Sequence, residues 1–151
     1  MRLRALVGSG DRIGLVTLPV AIIGLAVRAR DPSRFAVDAS SPLVRTTALV
    51  ALASGVVAWA WSVALILMKV PRGELITGGP YAVVKHPLYT SVGLLVLPAA
   101  GLLRHTWLGA LIGLTLYAGS RRFASDEEAR LATSFGPAWE AYRRHVRVPW
   151  L

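Results

Sequence analysis

The chain contains no cysteine, which excludes a disulfide framework, a zinc–thiolate site and a thiol nucleophile. Histidine is scarce: His86, His105 and His145 are the only three. None has the paired spacing of metal ligands, so no metal site is expected. Acidic residues are also few, 8 against 17 Lys+Arg, and charged residues make up 17% of a chain that is 54% hydrophobic. Soluble domains average about 25% charged and about 45–50% apolar residues. This chain is too apolar and too basic for that class. A soluble dinucleotide fold is missing as well, because Gly78-Gly79-Pro80 is not a G-x-G-x-x-G opening a helix and reads as a tight turn. The length, 151 residues, fits a single domain over 1–151.

What is present is a set of four apolar stretches, residues 13–27, 46–68, 87–103 and 106–120, which together cover nearly half the chain. The second has 23 uncharged residues, enough to cross a hydrocarbon core of about 30 Å at about 1.5 Å per residue. The last two are shorter, with only Arg104 and His105 between them, and a break that small fits a tight helical hairpin, kinked at Pro98. The first stretch is read as retained rather than cleaved, since Arg28 and Arg30 stand where a small-residue cleavage site belongs. The predicted fold is all-α: an integral membrane bundle of about four transmembrane helices with a short C-terminal hairpin and an amphipathic tail. The lipid bilayer is its first partner.

Orientation follows from the bases. Four crossings put the amino terminus, the 69–86 loop and the carboxyl tail on one side, with Arg2, Arg4, Arg12, Lys69, Arg72, Lys85, Arg121, Arg122, Arg130, Arg143, Arg144 and Arg147. The other side holds Arg28, Arg30, Arg34, Arg45 and Arg104. Twelve bases against five assign the richer side to the cytoplasm. The expected location is the cell membrane, multi-pass, with both termini cytoplasmic. The positive charge is then topological, and no nucleic-acid partner is called for.

Two polar segments share that side. In the tail, Leu131, Phe135, Trp139, Tyr142 and Val146 step by one helical face, interrupted by Gly136-Pro137, which ends one helix and starts the next. Periodicity alone favours an amphipathic helix lying at the headgroups with an aromatic anchor. Ser125 and Glu128 have capping-box spacing, which predicts a helix start at Ser125, a structural role for Glu128 and a free Glu127. In the loop, Pro87 suits a first helical position and biases His86 away from helix. A helix opened there presents unpaired backbone N–H groups to an anionic group, with Tyr89 close by. A helix start with an interfacial tyrosine explains the same residues without a ligand. Glu127 is suited to accept hydrogen bonds from ribose hydroxyls or to offset a cation, although acid near a helix amino terminus is itself a structural pattern.

The ordered set Thr77-x-Gly79-Pro80-Tyr81, Lys85-His86-Pro87-x-Tyr89, a short hairpin, Glu127-Glu128 and Phe135-Gly136-x-x-Trp139-x-x-Tyr142 resembles the isoprenylcysteine carboxyl methyltransferases, their bacterial relatives and the phospholipid N-methyltransferases. The likeness spans residues 69–149, within an expected cofactor-binding core of 69–151, and meets residues 1–68, the expected N-terminal transmembrane helices, only as apolar segments. It implies a membrane methyltransferase that uses S-adenosyl-L-methionine, bound on the cytoplasmic side. The implied cofactor contacts are Gly73, Glu74, Leu75 and Ile76 through backbone groups, then Tyr81, His86, Pro87, Leu88, Tyr89 and Glu127. The family's substrate-contacting arginine, four residues before that glutamate, falls on Phe123. Arg121 and Arg122 are the neighbouring candidates for substrate contact, and a prenylcysteine carboxylate is the less expected acceptor. Trp139 stands where a tyrosine is common.

No general base is evident in the sequence, which favours a carboxylate or thiolate nucleophile on a small lipophilic acceptor over an ammonium. Two alternatives stand beside this reading. A membrane reductase related to sterol reductases would use NADPH, but its His-Pro-Asn-Tyr followed by Gly-Glu is here His86-Pro87-Leu88-Tyr89-Thr90-Ser91, without the Asn or the acid. A non-catalytic membrane scaffold could carry the same hairpin.

Overall fold

The computed structural model describes residues 10–149, so Arg2 and Arg4, counted above for orientation, lie outside the described residues. Within that range the chain forms five helices and no β-strand. Helix α1 is Gly10–Arg30, α2 is Pro42–Lys69, α3 is Pro87–Leu103, α4 is Leu108–Phe135 and α5 is Pro137–His145. Residues Arg12–Arg30 and Pro42–Arg72 are long and apolar enough to cross a membrane, and Pro87–Leu103 is a shorter apolar helix. Their large side chains face outward: Leu15, Leu18, Ile22, Leu43, Val50, Trp61 and Leu67 are all exposed. A helix in a soluble core shows the reverse.

Sequence order and packing order differ. Helix α3 lies between α2 and α4, and α4 lies between α3 and α1. The α3–α4 contact is backbone against backbone. A Cβ on Gly93 or Gly113 would run into the other's main chain or its neighbours, and the same holds for Gly101 and Gly109. Small residues allow that approach, as in membrane helix pairs. Pro98 lies inside α3. A single π turn, Val92–Val96, precedes it, with the Leu97 N–H bonded to the Val92 carbonyl. Widening the helix there accommodates a residue that lacks an N–H and crowds the carbonyl four residues back.

The turn between α3 and α4 covers 104–107, longer than the two-residue break expected. His105 takes a positive φ of 53°, and the Thr106 N–H returns to the Gly101 carbonyl at 3.0 Å. This turn pairs with the α1–α2 connection through Val37 N–H to His105 carbonyl (3.1 Å) and Trp107 N–H to Phe35 carbonyl (3.0 Å). The Phe35 and Trp107 rings sit 5.0 Å apart. At the opposite end of the bundle lie the 70–86 loop, the charged half of α4, helix α5 and the start of α1, where Arg12 meets Asp126 at 3.4 Å.

Two expectations about the tail are corrected. Helix α4 runs unbroken through Ser125, because no Gly or Pro interrupts residues 120–135. Ser125 therefore caps nothing, and Glu128 is not a capping residue. The aromatic stripe does not face headgroups either. Trp139, Tyr142 and Val146 are buried together, with Leu75, Leu131, Ala132 and Phe135 packed on them. The Gly136-Pro137 break is as expected: Gly136 has φ 48° and α5 begins at Pro137. It folds α5 back so that the stripe covers the loop instead of the bilayer surface.

Candidate active site

The loop that follows α2 is shaped by two glycines at positive φ. Gly73 (φ 68°) turns the chain after a short 3-10 turn, Val70–Arg72. Gly79 (φ 63°) sits against Trp61, where a Cβ would approach the indole within 3.0 Å. Both are positions where L side chains are strained. Glu74 is exposed and pairs with Lys69 at 3.5 Å, Leu75 joins the Trp139 cluster, and Ile76 is buried.

Helix α5 and the segment after it clamp this loop. The Tyr142 hydroxyl donates to the Tyr81 carbonyl at 2.8 Å. The Arg147 N–H reaches the Ala82 carbonyl at 3.3 Å and the Val148 N–H the Val83 carbonyl at 2.9 Å, a parallel bridge of Val84 with Val148. Burial, then the charge of Glu127 and the neighbouring Tyr142 and Tyr89, push the Tyr81 phenol well above its usual range. Burial and the charge of Glu128 push Tyr142 up to about 12. The Tyr142 hydroxyl thus serves as a hydrogen-bond donor that ties α5 to the loop.

Pro87 opens α3 as expected, with His86 as the flanking residue (φ −123°, ψ 60°) and the Thr90 N–H returning to its carbonyl at 3.1 Å. His86 and Pro87 are buried; Leu88 and Tyr89 are half-buried. From α4, Glu127 and Glu128 come up against this helix start. Glu128 Oε1 accepts from Lys85 Nζ at 2.5 Å and lies 3.4 Å from His86 Nε2. Glu127 Oε2 lies 4.0 Å from His86 Nδ1. The hydrogen bond with His86, followed by that with Lys85, holds the Glu128 carboxyl at about 2.

The structure thus gathers Tyr81, His86, Tyr89 and Glu127 at one end of the bundle. It leaves Gly73 and Glu74 at the exposed start of the loop. Sequence reasoning missed the Glu128 contacts and the Tyr142–Tyr81 bond. The tandem Glu127-Glu128 was the available signal, since two adjacent helical residues face directions about 100° apart.

Arg121 and Arg122 part company. Arg121 is half-buried, and its Nη1 is buried without a hydrogen-bond partner among the described residues. Arg122 lines an open groove of about 460 Å³ between α1 and α4, with Val16, Leu111, Leu114, Thr115, Ala118, Gly119 and Phe123. The Arg12 guanidinium stands 5.9 Å over the Phe123 ring, within cation–π range. A second hollow of about 420 Å³ lies between the loop and α5, lined by Thr77, Ala82, Ala138, Ala141, Tyr142, His145 and Val146.

Among the described residues the chain is all-helical, with two helices long and apolar enough to cross a membrane, and the loop, the His-Pro helix start and the paired glutamates meet at one end of the bundle. Residues 41–133 match the isoprenylcysteine carboxyl methyltransferase (ICMT) family. The match covers more than half of the chain, and the chain belongs to this family of membrane methyltransferases. Neither the curated proteins nor the solved structures contain a match to it.

Proposed function

We propose that this protein is a multi-pass membrane methyltransferase that binds S-adenosyl-L-methionine on the cytoplasmic side and methylates a small lipophilic acceptor drawn from the bilayer. The observation that carries the proposal is the meeting of His86 with Glu127 at 4.0 Å, which joins the loop motif to the glutamate motif across the helical hairpin. The residues fit the cofactor's chemistry. Glu127 offers acceptors for ribose hydroxyls or a counter-charge for a cation, and the loop around Ile76 and Tyr81 supplies an apolar and aromatic wall. When bound, the cofactor would supply an electrophilic sulfonium methyl group. The chain's own contribution is to align the acceptor and to exclude water.

The acceptor's apolar body belongs in the groove between α1 and α4. Its wall ends at Phe123, and Glu127 is the next residue up the same face of α4, at i+4. Arg122 and Arg12 place positive charge at that end, suited to an anionic nucleophile such as a carboxylate or thiolate. The lipid bilayer presents the acceptor to this groove from the side. Four crossings, with both termini cytoplasmic, complete the proposal.

The test is a binding titration of S-adenosylhomocysteine and of NADPH on detergent-purified protein, followed by methylation assays. The acceptors compared are a farnesylcysteine analogue, lipophilic thiols and phosphatidylethanolamine. Binding of S-adenosylhomocysteine with turnover of thiols or small carboxylates supports the proposal. NADPH binding without S-adenosylhomocysteine binding rejects it in favour of a reductase, and binding of neither rejects it in favour of a scaffold. Turnover of phosphatidylethanolamine alone overturns the choice of acceptor.

A further inference from the structure

Glu128 is not among the residues assigned to the cofactor, yet two loop side chains converge on one of its oxygens. Lys85 Nζ approaches Oε1 at 2.5 Å and His86 Nε2 at 3.4 Å, in a setting where the Lys85 side chain is only 10% exposed and that of Glu128 21%. An ionised carboxylate has acceptors and no donor, so the contact with the imidazole needs its hydrogen on Nε2. In the neutral ring, the lone pair then falls on Nδ1. Nδ1 faces Glu127 Oε2 across 4.0 Å, too far for a direct hydrogen bond. Two acceptors therefore look at each other across a short gap.

We infer that Glu128 is a positioning residue: it holds His86 in the Nε2–H tautomer, so that Nδ1 and Glu127 Oε2 form a facing acceptor pair selective for a ligand group with two hydrogens to donate, a vicinal diol or an amino group. Each part has a distinct task. Pro87 fixes where the His86 ring starts, by opening α3. Glu128 fixes how the ring is turned. Lys85 pairs with the same Glu128 oxygen and holds the carboxylate in place. The ligand half of this inference rests on the cofactor reading above, whereas the tautomer half stands on the geometry alone.

The experiment uses the full chain in detergent in a His105→Asn, His145→Gln background, which leaves His86 as the single histidine. ¹⁵N-labelled histidine is observed by NMR over a pH series, and the tautomer is read on the plateau where the ring signals show it neutral. S-adenosylhomocysteine affinity is titrated on the same samples. The expected result is the Nε2–H tautomer in the background protein and a mixture of tautomers in both Glu128→Gln and Glu128→Asp. Glutamine can donate as well as accept, and aspartate keeps the charge for Lys85 but withdraws the oxygen from the ring. Affinity should fall about tenfold in each, the scale of one weakened hydrogen bond to a charged group. Glu127→Gln should lose affinity with the tautomer unchanged. An Nδ1–H tautomer in the background protein, or an unaltered tautomer in both Glu128 variants, overturns the inference. If the tautomer responds to Glu128 while no form binds S-adenosylhomocysteine, the positioning role stands and the cofactor reading falls.

Discussion

Glu127 and Glu128 are neighbours in sequence, but they point about 100° apart around α4, and their surroundings divide them. Glu128 meets a shielded ammonium and an imidazole; Glu127 keeps 38% of its side chain exposed. We expect Glu128→Ala to destabilise the fold by roughly 1–3 kcal/mol, because the part-buried Lys85 ammonium is left unpaired. Glu127→Ala should leave the unfolding midpoint nearly unchanged and weaken S-adenosylhomocysteine by about 10- to 150-fold, equivalent to ~1.5–3 kcal/mol. Chemical unfolding in detergent and a binding titration together check the pair; equal losses of stability in the two variants would contradict it. The pH dependence has a definite sign. The Glu128 carboxyl is held at about 2 against an ordinary 4.5, so its stabilising contribution is complete above about 4.5 and is lost as pH falls toward 2. Thermal unfolding of the native chain should weaken through that window, and Glu128→Gln should flatten the decline. The site was legible in the sequence as a set of residue types in order. The sequence also separated a structural Glu128 from a free Glu127, but on a capping box; the structure gives Glu128 its contacts through Lys85 and His86 instead, which depends on which face of a continuous helix meets the loop.

At the scale of elements, the places where reading by pattern failed share a cause. The spacing of Ser125 and Glu128 is that of a capping box, but a cap needs a helix that starts there, and the helix-forming run from Leu108 to Phe135 never stops. The stripe of Trp139 and Tyr142 has the period of a surface anchor. What decides its direction is the fold-back at Gly136, which the periodicity does not contain. The close α3–α4 contact, by contrast, had a visible sign in Gly109 and Gly113, a small-x-x-x-small spacing. It leads to a prediction: Gly113→Val should destabilise by about 1–3 kcal/mol through overpacking, since any Cβ there meets the Gly93 backbone. Gly14→Ala is the control, with nothing within 4 Å of the added carbon. It should be neutral or stabilising by up to ~1 kcal/mol through helix propensity. Equal behaviour of the two in unfolding titrations would refute the backbone-to-backbone packing. Trp139→Ala should cost about 3–5 kcal/mol and release the loop, read as faster amide exchange over 75–84.

At the scale of the molecule, the two ends of the bundle differ in kind. One end is closed by paired turns, Phe35 on Trp107; the other carries the loop, α5 and the gathered side chains. The base asymmetry of the sequence predicts which end faces the cytoplasm. A reporter fused after residue 151 should be active inside the cell, and one inserted at 38–40 outside it. Activity of both on the same side would refute the four-crossing topology. The apolar stretches were readable from composition, and so was the class of fold. The lateral order of the helices was not, because hydropathy says that a helix is apolar without saying which neighbour it touches.

That lateral order bears on how the chain is made. Helix α1 leaves the ribosome first, and its main partner is α4. Synthesis of the intervening segment takes on the order of ten seconds at roughly 5–20 residues per second. In the finished structure α1 meets α2 mainly through the α3–α4 hairpin, whose turn pairs with the α1–α2 connection, so the arrangement is expected to close once that hairpin is made. Covalent continuity between α2 and α3 is then expected to be dispensable to the final arrangement. Residues 1–68 and 69–151, expressed as separate chains in one membrane, should find each other and rebuild the site.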